Sequence, residues 1–339
     1  MKLLSKNIFS VLLIIGVSVL FIACSNQNDE KDSKDSNSEN KSALPSGDIN
    51  TMIPVAAGGG TDLTHRGLAE VVEKYLDRNV VVNNVEGSGG SVGFSTASKF
   101  EPNGLHLFSF TSEIFTLPIY QGDPGYKPED FKPLVLISEE PAAIVVSADS
   151  KYDTLEDFMK EAEENPGKVS IGNSGFGNIW HLSAAQFEKE TGLDFKQIPY
   201  DGASETVQDA LGGHLDAFVA SPPEVASQVE AGKLKILAVM SDERIDTFPE
   251  IPTLKEQGIN ISMGTWRGLG VPAETPDDVV KALADAYSEA INSDEFKQFM
   301  KEQQMNIRFM NNEDFVEFVE SERPVFEELA KEVKQTEDE

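Results

Sequence analysis

Three glycine-rich turns, each preceded by a short apolar segment, constrain the fold of this chain more than any other feature of its sequence. They occupy residues 56–61, 87–93 and 174–178. A helix is predicted after each turn, and after the first turn the apolar residues recur at helical spacing from Leu63 to Leu76. An apolar strand, a turn and a helix form the repeating unit of α/β folds. The pattern therefore predicts an open α/β architecture with mostly parallel sheets.

The remainder of the chain continues this alternation. Strands are predicted at residues 49–55, 80–82, 105–110, 134–137, 142–146, 169–172, 195–198, 217–219 and 236–240. Further helices are predicted at residues 154–163, 179–191, 206–211 and 225–231. The tail from Asp277 onward is helix-rich, and its predicted core anchors are Phe296, Phe299, Phe315, Phe318 and Phe326. The length of 339 residues suits two domains.

The charge balance restricts the partners of the chain. Its 28 lysine and arginine residues face 58 aspartate and glutamate residues, which gives a formal net charge of −30. A nucleic-acid partner is excluded, because neutralising phosphates requires a basic surface. Electrostatic adhesion to anionic lipids is disfavoured for the same reason. An anionic small molecule is not excluded, since the amides at a helix N-terminus supply a local positive field whatever the net charge.

The chain contains one cysteine, Cys24, and four histidines, His65, His106, His181 and His214. One cysteine cannot form an internal disulfide, and the scattered histidines lack the spacing of a metal site. The glycine turns also lack a dinucleotide fingerprint and a P-loop lysine. We therefore expect neither a metal nor a cofactor.

The first 23 residues have the layout of a secretory signal peptide. Lys2 and Lys6 precede an almost wholly apolar stretch at residues 8–23. The stretch is somewhat shorter than the roughly 20 residues of a membrane span, so a transmembrane anchor is the less favoured alternative. From Cys24 to Gly47 the chain is polar and lacks the apolar surface that would offset the entropy of ordering. This segment, residues 24–47, is predicted to be a disordered tether.

The residues from Phe21 to Cys24 resemble the lipobox of bacterial lipoproteins, although Phe21 stands where that family usually has leucine. The resemblance implies that Cys24 carries the lipid, palmitate included, and becomes the new N-terminus; the alternative is a signal peptide that is cut elsewhere. A lipid followed by a tether predicts a protein held on the outer face of the cell membrane. The tether's composition favours a Gram-positive envelope over a periplasm.

Seven ordered segments resemble the substrate-binding proteins of tripartite tricarboxylate transporters, the Bug family. They are IPVAAGGGTD (53–62), VVNNVEGSGGSVG (81–93), GKVSIGNSGFGNIWHLSAAQF (167–187), IPYDGASETVQDALGGHLDAFVAS (198–221), AGKLKILAVMSDER (231–244), FPEIPTLKEQG (248–258) and WRGLGVPAETP (266–276). The resemblance implies a two-lobed clamshell like the type II periplasmic binding proteins. Lobe one would be residues 48–147 plus 266–339 and lobe two residues 148–265, with the hinge near Val146 and Thr265.

The same resemblance implies a monomeric solute-binding protein rather than an enzyme. It would capture a small carboxylate, such as a tricarboxylate or dicarboxylate, and deliver it to a permease with a large and a small membrane subunit. The carboxylate would lie between a glycine loop of each lobe, where backbone amides can approach closely. The implied ligand-binding residues are Ala57, Gly58, Gly59, Gly60, Thr61, Thr111, Ser112, Ser174, Gly175, Phe176, Gly177, Asn178 and Arg267. Asn178 stands where the family often has serine.

Several polar residues near these loops have two interpretations. Arg267 either pairs with a second carboxylate of the ligand or holds the hinge through an ion pair. Asp62 either stabilises the helix that it starts or contacts an amine or water at the ligand, and His181 is either a packed, capping residue or a ligand contact. Thr111 and Ser112 end a strand at the edge of the cleft and either face the ligand or are ordinary turn residues. Tyr200 and Asp201 follow a strand towards the cleft and either contact the ligand or do not.

Two other functions are alternatives to transport. A receptor of this kind can report its ligand to a signalling protein instead of a permease. Residues 89–93 also match the G-x-S-x-G nucleophile elbow, which would make Ser91 the nucleophile of a secreted hydrolase. Hydrolysis by Ser91 would also need an acid and a histidine. The candidate histidine is His214. The identity of the carboxylate is left open by the sequence.

Overall fold

The computed structural model describes residues 44–200, 202–245 and 247–338, with side chains to residue 336. The predicted signal peptide, Cys24, most of the tether and Asp201 lie outside these residues. Within them, ten strands form two five-stranded sheets.

The first sheet has the strand order β2-β1-β3-β10-β4. Its strands are β1 (Ile49–Ile53), β2 (Val80–Asn84), β3 (His106–Phe110), β4 (Phe131–Pro141) and β10 (Gly264–Pro272). The associated helices are α1 (Gly60–Leu76), α2 (Ser91–Ala97), α3 (Glu113–Gln121), α8 (Asp277–Asn292), α9 (Asp294–Glu302) and α10 (Asn312–Asp338). Strand β1 runs parallel to β2 and β3, whereas β10 runs antiparallel to β3 and β4.

The second sheet repeats this arrangement in the order β7-β6-β8-β5-β9. Its strands are β5 (Ala143–Ser147), β6 (Ser170–Asn173), β7 (Lys196–Pro199), β8 (Ala217–Ala220) and β9 (Leu234–Val239). Its helices are α4 (Leu155–Glu164), α5 (Ile179–Thr191), α6 (Ala203–Leu211) and α7 (Pro222–Glu230). Strand β6 is parallel to β7 and β8, and β5 is antiparallel to β8 and β9.

The two sheets confirm the predicted two-lobed α/β clamshell, with one difference. Each sheet is mixed rather than mostly parallel, because the strand that arrives from the other sheet enters in the opposite direction. Strand β10 enters the first sheet in this way, and β5 enters the second.

The chain crosses between the sheets twice. Strand β5, which we expected at the end of lobe one, pairs in the second sheet, so the first crossing lies at Pro141–Ala142 rather than near Val146. The return crossing leads into β10 at Gly264, next to the expected Thr265. Backbone hydrogen bonds tie the crossings together, since Ala142 N donates to Met263 O (2.8 Å) and Met263 N to Met240 O (2.9 Å). The connections therefore form a short hydrogen-bonded hinge.

Aromatic packing holds β10 in place within the first sheet. The Trp266 ring is 1% exposed and lies 6.1 Å from the Phe110 ring centre and 5.7 Å from that of Phe315. The predicted anchors Phe296, Phe315 and Phe326 are buried, while Phe299 and Phe318 are partly buried. Since neighbouring side chains of a strand point to opposite faces, burying Trp266 directs the next residue, Arg267, to the other side.

Candidate functional site

A cleft between the two sheets is lined by residues of both. The first sheet and its loops contribute Pro54, Val55, Ala56, Gly59, Gly60, Thr61, Gly87, Gly89, Gly90, Phe94, Thr111, Glu113, Thr265 and Arg267. The second contributes Ser174, Asn178, Ile179, Trp180, Gly202, Ala203, Ser204 and Glu224. The strand-to-helix turns of both sheets thus meet at one place.

Helix N-termini supply much of this lining. Helices α1 and α6 follow Gly59 and Gly202, which provide no capping side chain, so their first-turn amides depend on other partners. Helix α5 is satisfied from within the protein. The Asn178 side chain accepts a hydrogen bond from Trp180 N (3.0 Å), and the Glu113 carboxylate accepts one from Ile179 N (3.1 Å). The positive ends of α1 and α6 are therefore the ones better placed to receive an anion.

The structure places the thirteen predicted ligand residues in two groups. Those that line the cleft are Gly59, Gly60, Thr61, Thr111, Ser174, Asn178 and Arg267. Those that lie outside its lining are Ala57, Gly58, Ser112, Gly175, Phe176 and Gly177. Phe176 is 49% exposed, and Gly177 O accepts a hydrogen bond from the Thr116 hydroxyl at 2.6 Å. The second group thus belongs to the loops and turns around the cleft rather than to its lining.

Other cleft residues were not among the predicted site. The turn at residues 87–90 lines the cleft through Gly87, Gly89 and Gly90, whereas the family resemblance implies that the ligand lies at the other two glycine turns. Its strand–glycine–helix pattern was a sufficient signal to include it. Gly202 and the carboxylates of Glu113 and Glu224 were also missed. An acid in the first turn of a helix is common in any protein, so the sequence offered no specific signal for these two.

Arg267 is a buried cation beside the start of α1. Its side chain is 1% exposed, and its Nε donates to the Thr61 hydroxyl at 3.2 Å. Among the described residues its Nη1 has no hydrogen-bond partner, and no carboxylate lies within ion-pair distance of its guanidinium. A buried guanidinium nitrogen without a partner is costly. The arrangement suits an anion that arrives from the cleft.

Glu140 is a second buried charge at the hinge. It is fully buried, and its carboxylate accepts hydrogen bonds from Asn306 N (2.6 Å) and Asn306 Nδ2 (2.9 Å). Burial raises the pKa of Glu140 to about 7, against the lowering effects of the nearby Arg267 charge and of Asn306, while the Glu224 charge adds to the rise. Near neutral pH this carboxyl therefore only partly balances Arg267.

We expect Glu140 to make the stability of the protein depend on pH. Because its pKa is raised from 4.5 to about 7, the folded state holds this proton more tightly than the unfolded chain. The contribution of Glu140 to the free energy of unfolding is complete below pH 4.5 and is lost as the pH rises through 7. The loss amounts to up to about 3 kcal/mol. Glu140→Gln should remove this loss in urea unfolding measured between pH 5 and pH 8. An unchanged pH dependence in the variant would contradict this assignment.

Asp62 is saturated by donors from its own loop and helix. Its carboxylate accepts hydrogen bonds from Gly58 N, Arg66 Nε and Asn84 Nδ2, each at 2.9 Å. Burial alone would raise the pKa of Asp62, but these donors outweigh it and hold the pKa below the usual value. The geometry therefore favours the structural interpretation, in which Asp62 fixes the first glycine turn.

The remaining polar candidates also bond within the protein. His181 Nδ1 accepts from Gly177 N at 3.1 Å, which fits the capping interpretation. The Tyr200 hydroxyl donates to Asp209 at 2.6 Å. The Ser91 hydroxyl donates to the Gln121 side chain at 2.6 Å, and no described histidine hydrogen-bonds to it. His214 is exposed in a turn of the second sheet, so the hydrolase alternative lacks the base it requires.

Residues 44–338, other than positions 201 and 246, make up the part of the chain that the structure describes. Over that part of the chain, no group of three or more His, Cys, Asp or Glu side chains is arranged to hold a metal ion. None of the helices in that part of the chain is both long enough and apolar enough to cross a membrane.

Comparison with known proteins connects this cleft to one family. Residues 64–334 match the family model described as the tripartite tricarboxylate transporter family receptor. A relative from Cupriavidus necator, the UPF0065 protein in the gbd 5' region, is 32% identical over 291 residues. The match covers 84% of this chain and 88% of the relative.

Solved structures share the fold over most of the chain. The periplasmic binding protein BugD superposes with a TM-score of 0.81 at 29% identity, covering 86% of this chain and 99% of that one. Rpa4515 of R. palustris, solved with adipate, gives a TM-score of 0.81 at 25% identity, covering 86% and 98%.

Proposed function

This chain belongs to the tripartite tricarboxylate transporter receptor family, and from that premise we propose that it captures a small carboxylate in the cleft between its two sheets. The family and the fold are those of extracytoplasmic substrate-binding proteins rather than enzymes. The bound acid would be delivered to a permease made of a large and a small membrane subunit. The adipate in the structure of Rpa4515 supports an organic acid as the ligand class.

The observation that carries the proposal is the unpartnered Nη1 of Arg267 in the wall of the cleft. A ligand carboxylate would complete its hydrogen bonding, and hydrogen bonds to charged groups contribute about 1.5–3 kcal/mol each. The uncapped start of α1 at Gly60 lies beside the same guanidinium, since a Cβ on Gly60 would sit 2.7 Å from Arg267 Nη2. Both features favour an anion at one point.

The proposed ligand contacts are the predicted residues that line the cleft. They are Gly59, Gly60, Thr61, Thr111, Ser174, Asn178 and Arg267. The other six predicted residues would act through the shape of their loops. They are Ala57, Gly58, Ser112, Gly175, Phe176 and Gly177. We propose that the lobes divide at the observed crossings, with residues 142–263 as the second lobe, and that they close on the ligand.

A melting-temperature screen of the purified protein tests the carboxylate function. Monocarboxylates, dicarboxylates, tricarboxylates and amino acids would be added one at a time, with neutral amides of the same acids as controls. A ligand at a hundred times its Kd stabilises the folded protein by about 2.7 kcal/mol, which raises Tm by several degrees. We expect at least one acid to do so while its amide does not. A complete absence of shifts would overturn the proposal.

We further propose that Cys24 is lipidated and holds the receptor on the outer face of a cell membrane, of the Gram-positive type. The sequence from Phe21 to Cys24 supports this, together with the polar segment that follows. Cys24→Ala should move the protein from the membrane fraction to the soluble fraction and abolish incorporation of labelled palmitate. Retention of label in the variant would contradict lipidation at this residue.

A further inference from the structure

The charged side chains that line the cleft indicate what else the ligand carries besides a carboxylate. Of the described residues that line the cleft, one is a cation, Arg267, and two carry carboxylates, Glu113 and Glu224. Resting on the proposed carboxylate function, we propose that the ligand is a zwitterion, in which a cationic amine accompanies the carboxylate. Arg267 would bind the carboxylate, and the two glutamates would bind the amine.

Glu113 already occupies the start of α5. It comes from α3 of the first sheet, is 6% exposed, and its Oε1 accepts the hydrogen bond from Ile179 N at 3.1 Å. The glycine turn at residues 174–178 thus presents a carboxylate of the protein where the family resemblance implies one of the ligand. A carboxylate has room for about four hydrogen bonds, so Glu113 can accept further donors from the cleft. A second ligand carboxylate at this place would be repelled.

Glu224 faces the start of α1 from the other sheet. Its Oε2 accepts from the backbone N (2.8 Å) and the hydroxyl (2.9 Å) of Ser221, which fixes the side chain. Its Oε1 lies 3.5 Å from Gly60 N and is left with that one long hydrogen bond. This oxygen is therefore a second acceptor close to the proposed carboxylate site.

Arg267 and Glu224 flank the same point. A Cβ placed on Gly60 would lie 2.7 Å from Arg267 Nη2 and 3.5 Å from Glu224 Cγ. Arg267 is 1% exposed and its Nη1 has no partner among the described residues, so its guanidinium favours an anion, while the neighbouring glutamate favours a donor. A carboxylate and an ammonium group on the same carbon, as in an α-amino acid, would satisfy both within one small molecule.

The net charge of the lining opposes a plain polycarboxylate. With formal side-chain charges of +1 and −2, an acid with several carboxylates would add like charges to a site that holds one guanidinium. Like-charge contacts in such a site cost several kcal/mol. If the ligand also carries an ammonium group, the same two glutamates can bind that group.

Matched acid pairs test the inference. The standard α-amino acids would each be titrated by calorimetry beside the acid in which hydrogen replaces the amino group, with citrate and succinate included. We expect at least one amino acid to bind at least tenfold more tightly than its amine-free counterpart. If only amine-free acids bind, the zwitterion inference is overturned and the carboxylate function stands. If no acid of either set binds, both are overturned.

Two variants test whether the preference for an amino acid over its amine-free counterpart depends on the two glutamates. Glu113→Gln and Glu224→Gln keep an acceptor for Ile179 N and for Ser221, so the fold should survive, as checked by Tm. Each is expected to lower the ratio of amino acid to amine-free affinity at least tenfold. The control is Glu129→Gln, whose carboxylate pairs with Arg323 away from the cleft and should leave the ratio unchanged. An unchanged ratio in both cleft variants would overturn the inference.

Discussion

Replacing Arg267 with methionine is expected to weaken ligand binding at least a hundredfold. The guanidinium is buried, and its Nη1 has no partner among the described residues, so the ligand carboxylate would be its main partner. Two charge-assisted hydrogen bonds at about 1.5 kcal/mol each amount to about 3 kcal/mol, which exceeds a hundredfold in affinity. Calorimetry with the acid that gives the largest melting shift measures the effect.

The same variant should not destabilise the unliganded protein. Replacing a poorly paired buried charge with an apolar side chain of similar length is often neutral or stabilising, and Glu140 can take up a proton once the cation is gone. We therefore expect a Tm at or above that of the wild type. Arg323→Met is the matched control, because Arg323 is half-exposed and pairs with Glu129 and Glu327. A Tm lower by several degrees would support the hinge role of Arg267 instead.

Gly60→Ala is expected to weaken binding at least tenfold without loss of stability. The added Cβ would lie 2.7 Å from Arg267 Nη2, too close for an unchanged guanidinium position. Gly60 is the first residue of α1 and is not in the left-handed region, so alanine itself suits the backbone. Calorimetry and a melting curve together separate the loss of binding from a loss of fold.

Gly59→Ala provides the comparison. A Cβ at Gly59 would meet Glu224 Oε1 at 3.8 Å, an ordinary contact, so the loss of affinity should be clearly smaller than at Gly60. Equal losses at the two positions would show that the amides alone, rather than the placement of Arg267, determine binding.

Most elements of the fold follow from local patterns, and the exceptions have identifiable causes. Helix α3 was not predicted, because Pro118 interrupts a short segment. Strand β10 was not predicted either, because three glycines lower its strand propensity. Tertiary packing requires two of these glycines. A Cβ at Gly268 would lie 2.4 Å from the Phe315 ring, and a Cβ at Gly270 would lie 2.5 Å from the Phe110 ring.

Two loops of the candidate site and its cation Arg267 were predictable from the sequence, but its two carboxylates were not. The glycine turn before α1 and the turn at Ser174–Asn178 were identified because strand, glycine and helix follow each other in sequence. Each of these glutamates has one partner that is distant in sequence, Ile179 N for Glu113 and Gly60 N for Glu224. No periodicity reports contacts of this kind.

The sequence by itself determined the α/β alternation, the placement of glycine turns at helix starts and a net negative charge that argues against a nucleic-acid partner. Each depends on neighbouring residues or on composition. The tertiary structure alone decided that Arg267 reaches Thr61, that Glu140 is buried at the hinge and that carboxylates of the protein enter the cleft. These depend on how two sheets pack across a hinge, since burial and distance, rather than residue type, set the energy of a charge.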